Sequence, residues 1–142
     1  MRFKKIALPI IILLITLSSK AQLLMSKTDV TEEYGDDYKT GTTDDGKDYI
    51  FYEKELETDA SGKYIQQKVI YFVELAEGEK FCNAWKIIEP SSEANSVVNH
   101  IMDEGLVKVD NMQWKDYETN ILYHVKVDEG LCILTAIYDE EN

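Results

Sequence analysis

The sequence is poor in the residues that build most metal and nucleophilic sites. Its 142 residues include only two histidines, two cysteines and two tryptophans. Zinc and copper sites draw mainly on His and Cys side chains, so this supply argues against both metals. Glycine-rich phosphate loops and the sequence contexts of serine or cysteine nucleophiles are also absent. We therefore predict no cofactor, no catalytic residue and no enzymatic activity.

Basic residues are few relative to acidic ones. The chain has 15 Lys and Arg against 27 Asp and Glu, which gives a formal net charge of −12. Nucleic acids and anionic membrane surfaces repel such a protein, so neither is an expected partner. The acidity itself is typical of a protein kept soluble outside the cytoplasm.

Only one long hydrophobic run occurs, at residues 6–17, and it follows a basic start. Small residues, Ser19 and Ala21, then precede Gln22. This is the layout of a secretory signal peptide over residues 1–21 that is cleaved before Gln22. The run falls short of the roughly 20 apolar residues that a membrane-spanning helix needs. We therefore expect an exported protein, periplasmic or secreted, that does not insert into the membrane after cleavage.

Residues 22–142 have the length of one small domain, with two similar halves at 25–89 and 90–142. Each half opens with a helix signal: Ser26 is a favourable N-cap for the first, and residues 91–104 carry apolar side chains at helical spacing. Each helix is followed by strand-like segments between turn-forming residues. The predicted strands are 49–57, 63–75, 80–88, 112–118, 120–127 and 131–138. We predict an α+β fold, one antiparallel sheet of about six strands with two helices on one face. The halves form tandem α-β-β-β units unless their likeness is a coincidence.

The two cysteines, Cys82 and Cys132, occupy matching places in the two halves. An even cysteine count in an exported protein favours a disulfide. A pseudo-twofold axis that brings equivalent strands together suits a bridge between them, which would stabilise the fold by roughly 4 kcal/mol. Two buried free thiols are the alternative.

Aromatic residues are plentiful, with nine Tyr, four Phe and two Trp. If Val69 and Tyr71 face the helices, alternation turns Ile70 and its even-numbered neighbours outward. An outer face of this kind, rimmed by acidic residues, is typical of a protein-binding surface. The residues predicted to form it are Phe72, Trp85, Trp114 and His124. The alternative is that this face is covered by a second layer or closes into a barrel. The expected partner is an envelope or extracellular protein, and the oligomeric state is not predicted.

Two alternative functions rest on the acidic residues. The polar segment 36–48 offers hard oxygen ligands for calcium at Asp44, Asp45 and Asp48, although their spacing is not that of an EF-hand. The protein would then bind a small ligand or cation, unless the segment is simply a solvated loop. A carboxylate-dependent hydrolase ranks lower, because 27 acidic residues place some pair at a suitable distance by chance.

The segment Met25-Ser-Lys-Thr-Asp-Val-Thr-Glu-Glu-Tyr-Gly35, an Asp-Gly-Lys loop and the aromatic stretch Tyr49–Tyr52 form a recognisable series. It resembles the start of the small envelope proteins of the SmpA/OmlA type, which share a fold with the β-lactamase inhibitor protein. The chain departs from that pattern in having no lipoprotein cysteine and no proline after Gly35. The resemblance covers residues 25–52. It implies a binding or assembly role and a tandem arrangement of helix plus antiparallel sheet.

Overall fold

The fold is a single antiparallel sheet of eight strands with two short helices, in a computed structural model that describes residues 23–75 and 78–139. The helices are α1 (Lys27–Tyr34) and α2 (Ala94–Asp103), and a 3₁₀ turn at Ser91–Glu93 leads into α2. The strands are β1 (Lys39–Thr42), β2 (Asp48–Thr58), β3 (Gly62–Glu74), β4 (Lys80–Pro90), β5 (Val107–Asp110), β6 (Gln113–Asp116), β7 (Ile121–Asp128) and β8 (Leu131–Tyr138).

The prediction of an α+β fold with a six-stranded sheet is wrong, because the protein is mostly β and has eight strands. The two missed strands are β1 and β5, which form the two edges of the sheet. Each is four residues long, and β5 is exposed throughout. β1 has no apolar side chain, and in β5 Val107 and Val109 alternate with polar residues over only four positions and are both exposed. An edge strand takes its conformation largely from pairing with its neighbour.

The strands run in the order β1-β2-β3-β4-β8-β7-β6-β5, so two four-stranded meanders meet where β4 pairs with β8. Each meander follows one helix along the chain. Tight turns suit this arrangement: at the β7–β8 hairpin, Glu129 and Gly130 have φ of 49° and 78°. That left-handed pair is typical of the two-residue turns that match the twist of antiparallel strands.

The start of α1 confirms the capping signal in the sequence. The Ser26 side chain accepts a hydrogen bond from the Asp29 backbone N–H at 3.1 Å, and Gly35 closes the helix with φ of 96°. The segment before the helix is tied to β4, because the Leu24 N–H donates to the Cys82 carbonyl at 2.7 Å. These bonds hold α1 against the first half of the sheet.

Both helices cover the same face of the sheet, and the core lies beneath them. One row of directly paired residues crosses six strands and is buried throughout; it consists of Ile50, Ile70, Trp85, Ala136, Tyr123 and Trp114. Val30 of α1 is fully buried on the first half of this face, and Ile101 of α2 is 4% exposed on the second. Within the described residues, no element covers the other face.

Cys82 and Cys132 are both buried free thiols, so the predicted disulfide is wrong. Cys132 pairs with Glu89 in the β4–β8 ladder, seven residues along β4 from Cys82. At ~3.3 Å per residue the two cysteines are roughly 23 Å apart, whereas a disulfide needs Cα atoms within about 7 Å. Burial raises the pKa of the Cys82 thiol to about 12 and also raises that of Cys132.

Candidate functional site

The residues predicted for the binding surface do not lie together. Phe72, Trp85 and Trp114 are 2%, 4% and 3% exposed and belong to the core under the helices. Only His124, which pairs with Thr135, lies on the uncovered face. The predicted outer face for the first three side chains is therefore wrong.

The error has a local cause in β3. Residues 69–73 are all apolar, so alternation alone cannot say which set faces the helices. A β-bulge adds to the ambiguity: Tyr71 pairs with Ala84 and Phe72 with Cys82, which leaves Asn83 unpaired on β4. Because of this extra residue, Cys82 and Trp85 lie on the same face although three positions separate them.

The uncovered face carries its own aromatic cluster. Tyr49 pairs with Tyr71 across β2 and β3 with ring centroids 5.9 Å apart, and Phe51 lies 6.4 Å from Tyr49. Lys86 lies 5.6 Å from the centre of the Tyr71 ring, and Lys39 lies 5.6 Å from the centre of the Phe51 ring. Such cation–π contacts hold the rings in place. We call Tyr49, Phe51 and Tyr71 the open-face cluster.

A groove of about 500 Å³ runs beside the open-face cluster. Its apolar floor continues onto β3 and β4 through Val69 and Ile88, and Asp44 stands at its margin. Further along β2 the same face becomes acidic, because Glu55 and Glu57 are exposed at alternating positions after Phe51. The groove is therefore aromatic at one end, and acidic side chains of β2 lie next to it on the same face.

The signal for this surface was present in β2. Its odd-numbered residues run from Tyr49 and Phe51 into three glutamates, and glutamates at alternating positions mark the solvent side of a strand. Strand register then assigns Tyr71 to the same side as Tyr49. Register was the missing information, since nothing in one strand's sequence fixes its partner.

Close beneath α1, on the covered face, lies a largely buried amine. The Lys68 Nζ is 4.5 Å from the centre of the Tyr34 ring and 5.3 Å from that of Trp85. It donates a long hydrogen bond of 3.4 Å to the Tyr34 hydroxyl. Burial lowers the pKa of Lys68 to about 8, against smaller opposing effects of Cys82 and Glu33.

A cavity of about 320 Å³ lies between α2 and the sheet. Its polar wall includes Glu89 and Glu93, which are 9% and 5% exposed. The Tyr64 hydroxyl donates to Glu89 at 3.2 Å, and the Gln66 amide donates to the same oxygen. Burial, together with the nearby Glu89 charge, raises the pKa of Tyr64 to about 12. No pattern in the sequence indicates that these residues of β3, β4 and the 3₁₀ turn share a cavity.

The aspartates predicted to bind calcium are engaged elsewhere. Asp48 forms an ion pair with Lys80, which holds the pKa of the Asp48 carboxyl below its usual value. Asp45 accepts a hydrogen bond from Thr43, and Asp44 lines the groove of the open face. Within residues 23–75 and 78–139, no three His, Cys, Asp or Glu side chains are grouped closely enough to hold a metal ion.

None of the described helices is long and apolar enough to cross a membrane. The predicted signal peptide at residues 1–21 and its cleavage point before Gln22 lie outside the described residues. Comparisons with protein-family models, with curated proteins and with solved structures each found no match. The resemblance to the SmpA/OmlA proteins and to the β-lactamase inhibitor protein fold consequently stays a prediction, and the geometry of the chain itself has to carry any proposal about function.

Proposed function

We propose that the protein is an exported binding module that engages an envelope or extracellular protein with the open face of its sheet. The observation that carries the proposal is the open-face cluster with its adjoining groove of about 500 Å³ on an uncovered sheet. Tyrosine and phenylalanine supply large contact area at low cost in side-chain entropy, and aromatic residues are enriched in protein interfaces. The leader at residues 1–21 supports the exported location.

The surroundings of the groove favour one kind of partner. The apolar floor formed by Val69 and Ile88 accepts an aliphatic or aromatic side chain. Exposed Glu55 and Glu57 on the same face favour basic groups around that side chain. A formal charge of −12 attracts a basic partner over longer distances. The partner we propose is therefore a protein that presents an apolar side chain within a basic surface.

The test is affinity capture from envelope and culture-medium fractions, followed by binding measurements with the purified candidate. The double variant Phe51→Ala/Tyr71→Ala removes two rings of the open-face cluster. We expect it to weaken binding by roughly a factor of ten or more, because truncated aromatic anchors at an interface typically cost at least about 1.4 kcal/mol. In the wild type, added salt should also weaken binding, because it screens the charges of Glu55 and Glu57.

Tyr117→Ala is the matched control, since Tyr117 is 62% exposed and lies in the turn between β6 and β7. It should leave binding unchanged. Equal capture by the double variant and the wild type would exclude the open face as the binding surface. Sedimentation of the purified protein adds a second check: self-association lost in the double variant would make the occupant a second copy and would overturn the proposed partner.

A further inference from the structure

The cavity between α2 and the sheet is separate from the open face, and its wall has two contrasting sides. Strands β2, β3, β4 and β8 form its floor, and the helix closes one side. Ile87, Val97 and Leu134 supply apolar surface, whereas Glu89 and Glu93 supply two acidic groups. A volume of about 320 Å³ falls in the range of natural small-molecule sites, which is roughly 300–1,000 Å³.

The two glutamates are buried without a countercharge. Glu89 accepts hydrogen bonds from Tyr64 and Gln66, and Glu93 accepts one from Thr58. All of these donors are neutral, and all reach Oε1. In the part of the chain that the structure describes, no basic side chain lies within ion-pair distance of either carboxylate, and neither Oε2 accepts a hydrogen bond. His100 also lines the cavity, but its ring nitrogen lies 3.4 Å from Glu104 instead.

Burying a carboxylate is costly unless the charge is paired. Glu89 and Glu93 are at least nine-tenths buried as whole residues, and each keeps one oxygen that has no protein partner and is accessible from the cavity. A cation inside the cavity would supply the missing charge to both. The adjacent apolar wall would contact whatever body carries that cation.

We propose that this cavity binds a small organic cation, an ammonium or amidinium group on a short apolar body. The charged group lies between Glu89 and Glu93 and donates hydrogen bonds to their free oxygens. The apolar body packs against Ile87, Val97 and Leu134. Recognition of this kind is independent of the open face and of any protein partner bound there.

A bare metal ion fits the cavity less well. Calcium takes six to eight oxygen ligands, and the cavity supplies only two carboxylates, each with one oxygen already engaged. No group of three metal-binding side chains occurs in the described ranges. A metal ion would also make no contact with the apolar side of the cavity.

Benzylammonium chloride is a suitable probe, and benzyl alcohol is its neutral counterpart of similar shape. Titration of the isotope-labelled protein, followed by amide chemical shifts in NMR, reports both affinity and location. We expect benzylammonium to shift amides of α2 and of Leu134 and to bind at least about tenfold more tightly than benzyl alcohol, since charged hydrogen bonds are the stronger ones. No binding at roughly millimolar concentrations, or equal binding of the alcohol, would overturn the proposal.

Two isosteric variants, Glu89→Gln and Glu93→Gln, remove one charge each and keep an acceptor oxygen. Each should weaken benzylammonium binding by about a factor of ten and leave the alcohol unaffected. Glu55→Gln is the matched control on the open face and should leave the affinity for benzylammonium unchanged. Unchanged affinity in both cavity variants, or shifts confined to the open face, would reject the site. If one variant does not fold by circular dichroism, the other variant and the comparison with the alcohol still decide the question.

Discussion

Cys82 and Cys132 lie on neighbouring strands of the sheet, yet Cys132 is near one end of the ladder that joins the strands and Cys82 is two residues beyond the other end. The two four-stranded halves meet in antiparallel fashion at β4 and β8. A twofold axis between antiparallel strands maps one end of the ladder onto the other. Equivalent residues therefore meet only at the axis, and cysteines displaced from it are carried apart.

We expect both thiols to stay unpaired and unreactive in the folded protein. Burial raises the pKa of Cys82 to about 12, so the thiolate that attacks a disulfide reagent is scarce at neutral pH. Ellman's reagent should titrate two thiols in denaturant and almost none in buffer. Mapping of peptides without reduction provides the second measurement, and a peptide joined through Cys82 and Cys132 would contradict the structure.

The two faces of β3 should differ sharply in their sensitivity to truncation. Ile70 is fully buried, and Ile65 on the same strand is 56% exposed. Ile70→Ala should lower the free energy of unfolding by about 2–5 kcal/mol, because it leaves a cavity in the core. Ile65→Ala is the matched control and should cost less than about 0.5 kcal/mol. Urea denaturation gives both values, and similar losses would mean that the face assignment is wrong.

Lys68 should make stability depend on pH in a predictable direction. Its pKa is lowered to about 8 in the folded protein, against 10.5 as the ordinary value. Between about pH 8 and pH 10.5, Lys68 is still protonated in the unfolded chain but has lost its proton in the folded protein. The free energy of unfolding therefore increases as the pH rises through this range. Lys68→Met should be more stable than the wild type at pH 7, and that advantage should shrink by about 1 kcal/mol by pH 9.

The comparison between Lys68→Met and the wild type removes the effect of the thiols. Their raised pKa values act in the opposite direction, since stability is lost as the unfolded thiols ionise above pH 9. Up to pH 9 the Cys82 thiol of the folded protein stays protonated with or without the Lys68 charge, so that loss is the same in both proteins. Lys54→Met, at an exposed position of β2, is the control and should differ from the wild type by the same amount at every pH. A constant difference for Lys68→Met would refute the lowered pKa.

Gly41 is the residue that lets Tyr49 lie across the edge of the sheet. The two are directly paired between β1 and β2, and a Cβ atom at Gly41 would overlap the end of the Tyr49 ring. Gly41→Ala should therefore displace that ring while the fold is kept, because the clash involves the far end of a side chain. NMR signals of the Tyr49 and Tyr71 rings should shift, and partner binding should weaken, as we expect for the double variant Phe51→Ala/Tyr71→Ala. Unaltered ring signals would contradict the close packing.

Local patterns in the sequence were sufficient to predict the elements that have clear capping residues or regular alternation. Ser26 and Gly35 define α1, and the alternation of apolar residues with His124 and Lys126 assigns the faces of β7. These signals depend only on neighbours along the chain, which is why they survive without tertiary information. The predicted leader depends on the same kind of local pattern.

Tertiary structure decided everything that depends on pairing. Register assigned the all-apolar segment of β3 to its faces, and it placed Phe72 and Trp85 in the core while Tyr71 joined the open-face cluster. Pairing also created the edge strands β1 and β5, separated the two cysteines and brought Tyr64 and Gln66 of β3 against Glu89 of β4. Each of these outcomes depends on residues that are distant in the chain. Their proximity follows from strand order and from the bulge at Asn83, which no local pattern encodes.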